Sequence, residues 1–393
     1  MVCHLACSDW RLQLIGRAIK LRRGSSGRVA FTLVPGERED EIEVSVFENP
    51  NDLNVLINPE RITLSGSCAE VIVDIEVPTK TSYKPVWILG LEFKGSRKTS
   101  RGFVAVFPVN EKSHKKTIRE AIQDDKTFAV GAPGFIKAGK YYLSYRWRNG
   151  NEERGRRLEI AESSDGLEYV TLKYFDKKDY SYASFEQACF VKEPPSNVVF
   201  LYSADVGRTW NIYVVEGKHV DDITLPGRLA IADGKDPASL YDQSSDSYIV
   251  AYSNCKNPGH DLAVISTKDF EKFEIESASI FYTQLIGQGN SWARTHIHVG
   301  SLFKVDGYYV LFYDALPSRP SSFGSGWLGV AISRDLKKWI DLTPDKPLWQ
   351  GKGIDKTFRY VDVYFDRDSY ILYAEEEVTA RGRKDLVAYY DLP

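Results

Sequence analysis

The chain has 393 residues, of which 43% are hydrophobic and 27% charged, and its formal net charge is −3. This near-neutral balance gives no sign of affinity for nucleic acid or acidic membranes, so neither is predicted as a partner. No apolar run reaches about 18 residues, and no membrane span is predicted. The length allows about two or three domains.

The N-terminus and the cysteines predict a cytoplasmic protein. Residues 1–20 include Asp9, Trp10 and Arg11, where a signal peptide would need an unbroken apolar stretch. The cysteines are odd in number, scattered and without metal-ligand spacing: Cys3, Cys7, Cys68, Cys189 and Cys255. This pattern is typical of free thiols in a reducing cytosol. We therefore predict neither a metal nor another cofactor. A single Met beside many Lys, Glu and Arg residues is a feature of thermophiles.

Residues 1–110 read as short strands separated by turns. Glu41–Phe47 and Val71–Val77 alternate polar with apolar residues, as half-buried strands do, and the second ends at Pro78. Several such strands predict an all-β domain, an immunoglobulin-like β-sandwich. This accessory domain could bind polysaccharide, mediate dimerisation or brace its neighbour. The sequence predicts no oligomeric state.

Residues 111–125 form a polar stretch. Their pattern is the best helical candidate in the chain. We predict a linker with a short helix here, between the sandwich and the rest of the chain.

Residues 126–393 contain a repeat. A Tyr-rich apolar strand ending in Tyr recurs five times, with the final tyrosines 50 to 61 residues apart: Tyr145, Tyr202, Tyr252, Tyr313 and Tyr373. A period of this length with several strands per unit is typical of propeller blades. The sequence predicts a five-bladed β-propeller over residues 126–393.

The repeats resemble the five-bladed propellers of glycoside hydrolase families 43, 117 and 130. The first repeat is most similar to family 130, through Ala132-Pro133-Gly134, Tyr145-Arg146 and the stretch 160–166. The resemblance implies a glycosidase acting on an oligosaccharide or glycoside. It also implies that residues flanking the first two strands of each blade converge on a central channel. The residues so implied are Arg146, Arg148, Glu186, Lys235, Asp236, His296, His298, Asp314, Arg359 and Asp362.

Glu186 and Asp236 are the candidate catalytic pair, because glycoside cleavage usually needs two carboxyl groups. Each lies 16 residues before the final tyrosine of its repeat, Tyr202 or Tyr252. The related families use the Asp-Pro form seen at Asp236 for functional carboxylates. We predict Glu186 as general acid and Asp236 as general base, with swapped roles as the alternative. Either residue could instead cap a strand or turn.

The first repeat departs from family 43, which places its base aspartate there. The stretch 130–134 contains no carboxylate. Phosphorolytic members of family 130 gather cations to hold phosphate, and Arg146, Lys235, His298 and Arg359 could do the same. These residues could equally bind sugar hydroxyls, a substrate carboxylate or structural partners. Three hypotheses remain open: an exo-acting, inverting hydrolase of a furanoside or mannoside, a phosphorylase, and a non-catalytic carbohydrate-binding propeller.

Other residues could contribute to a sugar site. His296 and His298 share one face of a strand and could contact sugar or hold a channel cation or water. Trp147, Trp292 and Trp327 are candidates for stacking on sugar, whereas Trp210 suits packing between blades. The run Glu375–Glu377 favours a charged solvent face, although Glu375 could reach the channel.

Overall fold

The computed structural model describes residues 9–50, 52–194, 196–256, 260–318 and 326–393. Strands hold 58% of the chain and helical turns 4%, which confirms the all-β prediction. Cys3 and Cys7 lie outside the described residues. No helix in the described ranges is long and apolar enough to cross a lipid bilayer.

The first nine strands form two sheets that pack on each other. The strands are β1 (Arg11–Leu12), β2 (Gly16–Lys20), β3 (Ser26–Val34), β4 (Asp40–Glu48), β5 (Asn54–Asn58), β6 (Arg61–Leu64), β7 (Ala69–Glu76), β8 (Trp87–Lys94) and β9 (Thr99–Phe107). One sheet has the order β1-β3-β7-β5 and the other β2-β9-β8-β4-β6. Phe31 of β3 meets Phe93 of β8 with ring centroids 5.5 Å apart, so apolar faces join the two sheets.

The predicted helix of residues 111–125 is wrong, because β10 (His114–Arg119) is a strand there. It pairs antiparallel with β29 (Lys384–Asp391), the last strand of the chain. This pairing gives β10 hydrogen-bond partners, and Ile118, 7% exposed, enters a hydrophobic core. A short isolated helix would be marginal in water, so tertiary pairing overrides the local helical pattern.

The following strands form antiparallel groups in chain order. They are β11 (Phe128–Ala138), β12 (Lys140–Asn149), β13 (Glu153–Ser163), β14 (Val170–Asp176), β15 (Ser184–Phe190), β16 (Val198–Asp205), β17 (Trp210–Gly217), β18 (Arg228–Ala232), β19 (Gly234–Asp242), β20 (Ser247–Asn254), β21 (Asp261–Thr267), β22 (Phe273–Ser277), β23 (Thr295–Val305), β24 (Tyr308–Leu316), β25 (Trp327–Ser333), β26 (Trp339–Asp341), β27 (Phe358–Phe365) and β28 (Tyr370–Glu377). The described helical turns are Lys177–Tyr180, Val220–Asp222, Phe281–Leu285 and Ile286–Gln288.

These groups are sheets of four strands, with one exception. The orders β15-β16-β17-β18, β19-β20-β21-β22 and β23-β24-β25-β26 are separate sheets. The exception is an eight-stranded sheet in which β14-β13-β12-β11 and β29-β28-β27 are joined through β11 and β29, with β10 on β29. The first and last parts of this region are therefore held together by backbone pairing.

The strands β11, β15, β19, β23 and β27, here called the inner strands, pack side by side. Each contacts the next, and β27 contacts β11. Their later residues line a cavity of about 500 Å³ at one end. Their earlier residues meet at the opposite end, in the charged cluster described below.

The N-terminal sheets share a hydrophobic core with the later sheets. Phe107 of β9 contacts the rings of Phe312, Trp349 and Tyr370, at centroid distances of 5.8, 6.2 and 6.5 Å. The Tyr370 hydroxyl also donates a hydrogen bond to the carbonyl of Pro85. An apolar contact of this kind holds the first two sheets firmly against the sheets of β23–β28.

Candidate active site

Each inner strand has an irregular register near its start, where one extra residue interrupts the pairing. The residues at these β-bulges are Ala132, Glu186, Asp236, His296 and Tyr360. Four of them, all but Glu186, have φ between 50 and 55°. Positive φ is uncommon for residues other than glycine, and both it and bulges are frequent beside active sites. The bulges therefore place five equivalent side chains at one end of the inner strands.

Arginines and glutamates from neighbouring strands form a buried ion network there. Arg146 Nε lies 2.6 Å from Glu186 Oε1, and its Nη2 lies 2.8 Å from Glu375 Oε2. Arg148 Nη2 contacts Glu186 Oε2 at 3.1 Å, and Arg359 Nη2 contacts Glu375 Oε1 at 2.7 Å. These five side chains are at most 4% exposed. Each buried charge thus has a partner of opposite sign.

The network keeps both glutamates ionised. Burial raises the pKa of the Glu186 carboxyl, but Arg146, Arg148 and Arg154 together hold it well below its usual range. Burial acts the same way on Glu375, and Arg146 and Arg359 outweigh it, so its pKa falls to about 2. A carboxyl that is ionised at neutral pH cannot donate a proton, so this environment does not suit Glu186 as general acid.

Asp236 has the opposite environment. Neither carboxylate oxygen accepts a hydrogen bond within the described part of the chain. The nearest cation is Lys235, whose Nζ lies 3.5 Å from Oδ2. Burial, reinforced by the negative charge of Glu186, raises the pKa of Asp236 in spite of Lys235. The protonated form therefore persists to higher pH, which suits a proton donor.

A His–Asp pair completes the cluster. His298 Nδ1 lies 3.0 Å from Asp314 Oδ1, and Asp314 Oδ2 accepts the Tyr360 backbone N–H at 3.4 Å. The Tyr360 ring stacks on His298 at 5.6 Å and lies 4.7 Å from the Arg359 guanidinium carbon. Burial, with nearby cations, lowers the pKa of His298 well below its usual range, so this imidazole is neutral. The His296 ring is 6.4 Å from that of His298.

Solved structures share this fold. A glycoside hydrolase matches with 14% identity over 71% of this chain and 92% of its own, at a TM-score of 0.53. A glycosyl hydrolase from Bacteroides ovatus matches with 13% identity over 72% of this chain and 94% of its own, also at 0.53. The chain has the fold of the propeller glycosidases.

A third propeller glycosidase match comes from work on glycoside hydrolase family 130, a family of mannoside phosphorylases. That family contains glycoside hydrolases that target β-1,2-mannosidic linkages in Candida mannan. The match has 14% identity over 72% of this chain and 95% of the other, at a TM-score of 0.51. No protein-family model matches the sequence, and no curated protein matches it. These likenesses show the fold alone.

Most predicted site residues come together in this propeller. Arg146, Arg148, Glu186, Lys235, Asp236, His296, His298, Asp314 and Arg359 all belong to the cluster. Within the described ranges, no group of three or more His, Cys, Asp or Glu side chains is arranged to hold a metal ion.

Asp362 lies apart from the cluster, contrary to its prediction as a substrate-binding residue. Its carboxylate binds Lys192 Nζ at 2.8 Å and accepts the Phe135 backbone N–H at 2.7 Å. Lys192 lines the cavity at the opposite end of the inner strands. Asp362 follows the bulge of β27, and there it ties β27 to β11.

Two of the predicted stacking tryptophans, Trp147 and Trp292, are also placed elsewhere. Trp147 follows Arg146 on β12 and, because side chains alternate, it leaves the cluster side and donates a hydrogen bond to Glu159 Oε2 at 2.6 Å. Trp292 is 5% exposed and stacks on Tyr313 at 5.9 Å. Half-buried Trp210 instead borders the cluster, with Arg154 Cζ 5.5 Å and Lys235 Nζ 5.6 Å from its ring.

The solvent-face interpretation of Glu375–Glu377 is wrong, since all three side chains are buried. Glu375 joins the ion network, Glu376 binds Lys115 at 2.7 Å, and Glu377 accepts backbone N–H groups of the preceding loop. Sequence reasoning also missed Arg154 and Tyr360. Tyr360 had a usable signal: a cation directly precedes the bulged residue in both Lys235-Asp236 and Arg359-Tyr360.

Ser203 positions Asp236, and removal of its hydroxyl should lower the stability of the protein. Its buried Oγ accepts the Asp236 backbone N–H at 2.8 Å and donates to the Gln187 carbonyl at 2.9 Å. We expect Ser203→Ala to lower the free energy of unfolding by about 1–3 kcal/mol, because the buried backbone N–H of Asp236 loses its partner. Urea unfolding would measure this. Ser266→Ala, which removes a hydroxyl bonded to Glu276 near the surface, is the control. Equal stability of the two variants would contradict the positioning role.

Proposed function

We propose that this protein cleaves glycosidic bonds in the channel of a five-bladed propeller formed by residues 126–393. Residues 1–110 would be an immunoglobulin-like sandwich that braces the propeller through the Phe107 contacts. The observation that carries the proposal is the contrast between Asp236 and Glu186. One buried carboxyl has a raised pKa and the other a lowered pKa, on adjacent inner strands. Such divergence is how paired carboxyls divide acid and base roles.

In the proposed reaction, Asp236 protonates the glycosidic oxygen as the bond to the leaving group breaks. Ionised Glu186 orients a water molecule and accepts its proton as the water attacks the opposite face of the sugar. The assigned roles are thus the swapped alternative of the sequence prediction. The negative charges of Glu186 and Glu375 would also stabilise the positive charge that develops on the sugar ring. We propose an exo-acting, inverting hydrolase of a furanoside or mannoside.

Phosphorolysis is the second candidate, and one observation favours it. Five cations, Arg146, Arg148, Arg154, Arg359 and Lys235, surround only two carboxylates with lowered pKa values, Glu186 and Glu375. Arginine and lysine side chains match phosphate oxygens. If phosphate were the nucleophile, no general base would be needed, which agrees with the weak basicity of Glu186.

A substrate panel tests the proposal. The purified protein would be incubated with aryl α- and β-glycosides of arabinofuranose, galactofuranose, xylose and mannose, and with short manno- and arabino-oligosaccharides. Each would be tested with and without inorganic phosphate. Release of free sugar without phosphate supports hydrolysis, and a sugar phosphate formed only with phosphate supports phosphorolysis. Sugar binding with no turnover on any substrate would contradict an enzyme and favour a binding propeller.

The pH dependence of activity should follow Asp236. Its pKa is raised in the folded protein, so the proton needed for catalysis is present at low pH and lost as pH rises through that pKa. Glu186 stays ionised well below its usual pKa. We expect kcat/KM to fall as pH rises through the pKa of Asp236, while any fall on the acid side should lie below the usual pKa of a glutamate carboxyl. A profile that rises with pH through the neutral range would contradict these roles.

A further inference from the structure

Most cations of the cluster are neutralised by the protein itself. Arg146, Arg148 and Arg359 contact the ionised carboxylates of Glu186 and Glu375 at 3.1 Å or less. Lys235 differs from them. Its only acidic neighbour within 4 Å in the described ranges is Asp236, the proposed proton donor. When Asp236 is protonated, the Lys235 ammonium has no ionised carboxylate within 4 Å among the described residues.

Lys235 is also buried, its side chain being 5% exposed. A buried ammonium is costly unless it is paired. Glu186 interacts with Lys235 at longer range, but its charge is already paired with Arg146 and Arg148, and two nearby histidines supply no negative charge. His260 and His298 are neutral, because burial and neighbouring cations, Lys235 among them, lower the pKa of both imidazoles. An anion from outside the chain would complete this site.

The position of Lys235 indicates which part of the substrate carries that anion. Its Nζ lies 3.5 Å from Asp236 Oδ2, so it is beside the group that protonates the leaving oxygen. In an inverting reaction the nucleophile attacks the opposite face of the sugar. A nucleophilic phosphate could therefore not occupy the space next to Asp236. The unpaired positive charge lies on the leaving-group side.

A second cation and an aromatic ring lie close to Lys235. Arg154, with a 34% exposed side chain, contacts Glu186 at 3.6 Å, and both cations lie within 5.6 Å of the Trp210 ring. Two cations suit a carboxylate, and an indole face suits the C–H groups of a sugar ring. We propose that the leaving group of the substrate is an acidic sugar whose carboxylate binds between Lys235 and Arg154 against Trp210. This inference rests on the proposed function.

Calorimetric titration tests it without requiring turnover. The probes are galacturonate and glucuronate, the matched neutral sugars galactose and glucose, galactose 6-sulfate, and inorganic phosphate. The proteins are the wild type, Lys235→Met and Lys140→Met, the last removing an exposed lysine paired with Glu162 at 3.0 Å. Thermal melting would establish that both variants are folded. We expect a uronate to bind about ten-fold or more tightly than its neutral partner. That preference should vanish in Lys235→Met, persist in Lys140→Met and weaken with salt.

Several outcomes would overturn the inference. Neutral sugars that bind as well as uronates, uronates that fail to bind, or a preference that survives Lys235→Met would each remove the acidic-sugar site. Galactose 6-sulfate binding more tightly than uronate would assign the anion to a sulfate ester. Phosphate binding as tightly as uronate in a Lys235-dependent way would assign a free-anion site. None of these outcomes affects the turnover panel, and absence of turnover would leave the titration valid, so the two proposals fail separately.

Discussion

Asp236→Asn is expected to lower kcat by about 10²–10⁴-fold, the usual contribution of general acid catalysis. Asparagine has nearly the same shape as aspartate but carries no acidic proton. The fold should tolerate the change, because neither carboxylate oxygen accepts a hydrogen bond from a described residue. The best oligosaccharide substrate of the panel, whose leaving group needs protonation, would be used to measure kcat, and thermal melting would follow stability. Loss of activity should come without loss of stability.

Asp246→Asn is the matched control for this variant. Asp246 has a 76% exposed side chain and a weak ion pair with Lys268 at 3.8 Å. Loss of its negative charge should therefore change kcat by less than about two-fold. If Asp236→Asn kept wild-type activity, another group would have to be the acid. If it lost activity only by unfolding, the residue would be structural.

Arg146→Met is expected to destabilise the protein by about 3–5 kcal/mol, the usual cost of breaking a buried ion pair from one side. Arg146 forms ion pairs with both Glu186 and Glu375, and all three side chains are at most 1% exposed. Methionine fills much of the volume but leaves two buried carboxylates short of a partner. Equilibrium unfolding in urea would measure the change.

The contrast for Arg146→Met is Arg28→Met, which breaks a 2.6 Å pair with Asp74 on an exposed strand. That change should lower the free energy of unfolding by no more than about 1 kcal/mol. Similar losses for the two variants would contradict the network.

The free energy of unfolding should also depend on pH through the buried network. The pKa of Glu375 falls from a usual value of about 4.3 to about 2 in the folded protein. Its contribution to stability is thus present above the usual pKa and lost as pH falls through the folded value.

The repeat in the sequence predicted the positions of the catalytic candidates better than their roles. Equal spacing of Glu186 and Asp236 from their tyrosines placed both at bulges of adjacent inner strands. Which one holds a proton depends on Arg146 and Arg148 of β12 and on Lys235. Those neighbours come from different sheets, and their distances cannot be read from spacing along the chain.

The sequence predictions that the structure contradicts have separate physical causes. Trp147 directly follows Arg146 on β12, and because successive side chains of a strand point to opposite faces, the sequence alone could have placed Trp147 on the face away from Arg146. The Glu375–Glu377 run looked solvated because three adjacent carboxylates are rarely buried, and their partners lie far away in sequence, such as Lys115 and Arg146. Residues 114–119 form a strand because they pair with β29, which lies at the other end of the chain. In the last two cases a partner far away in the sequence decides the local outcome.

Leaving-group dependence tests most directly that Asp236 is the proton donor. A series of aryl glycosides of the preferred sugar, from strongly acidic nitrophenols to weakly acidic phenols, would be hydrolysed by the wild type and by Asp236→Asn. Strongly acidic phenols depart without protonation, so the variant should retain nearly full kcat/KM on them. Its activity should fall progressively as the phenol becomes less acidic, while the wild type changes little. An equal loss across the whole series would mean that Asp236 does not protonate the leaving group.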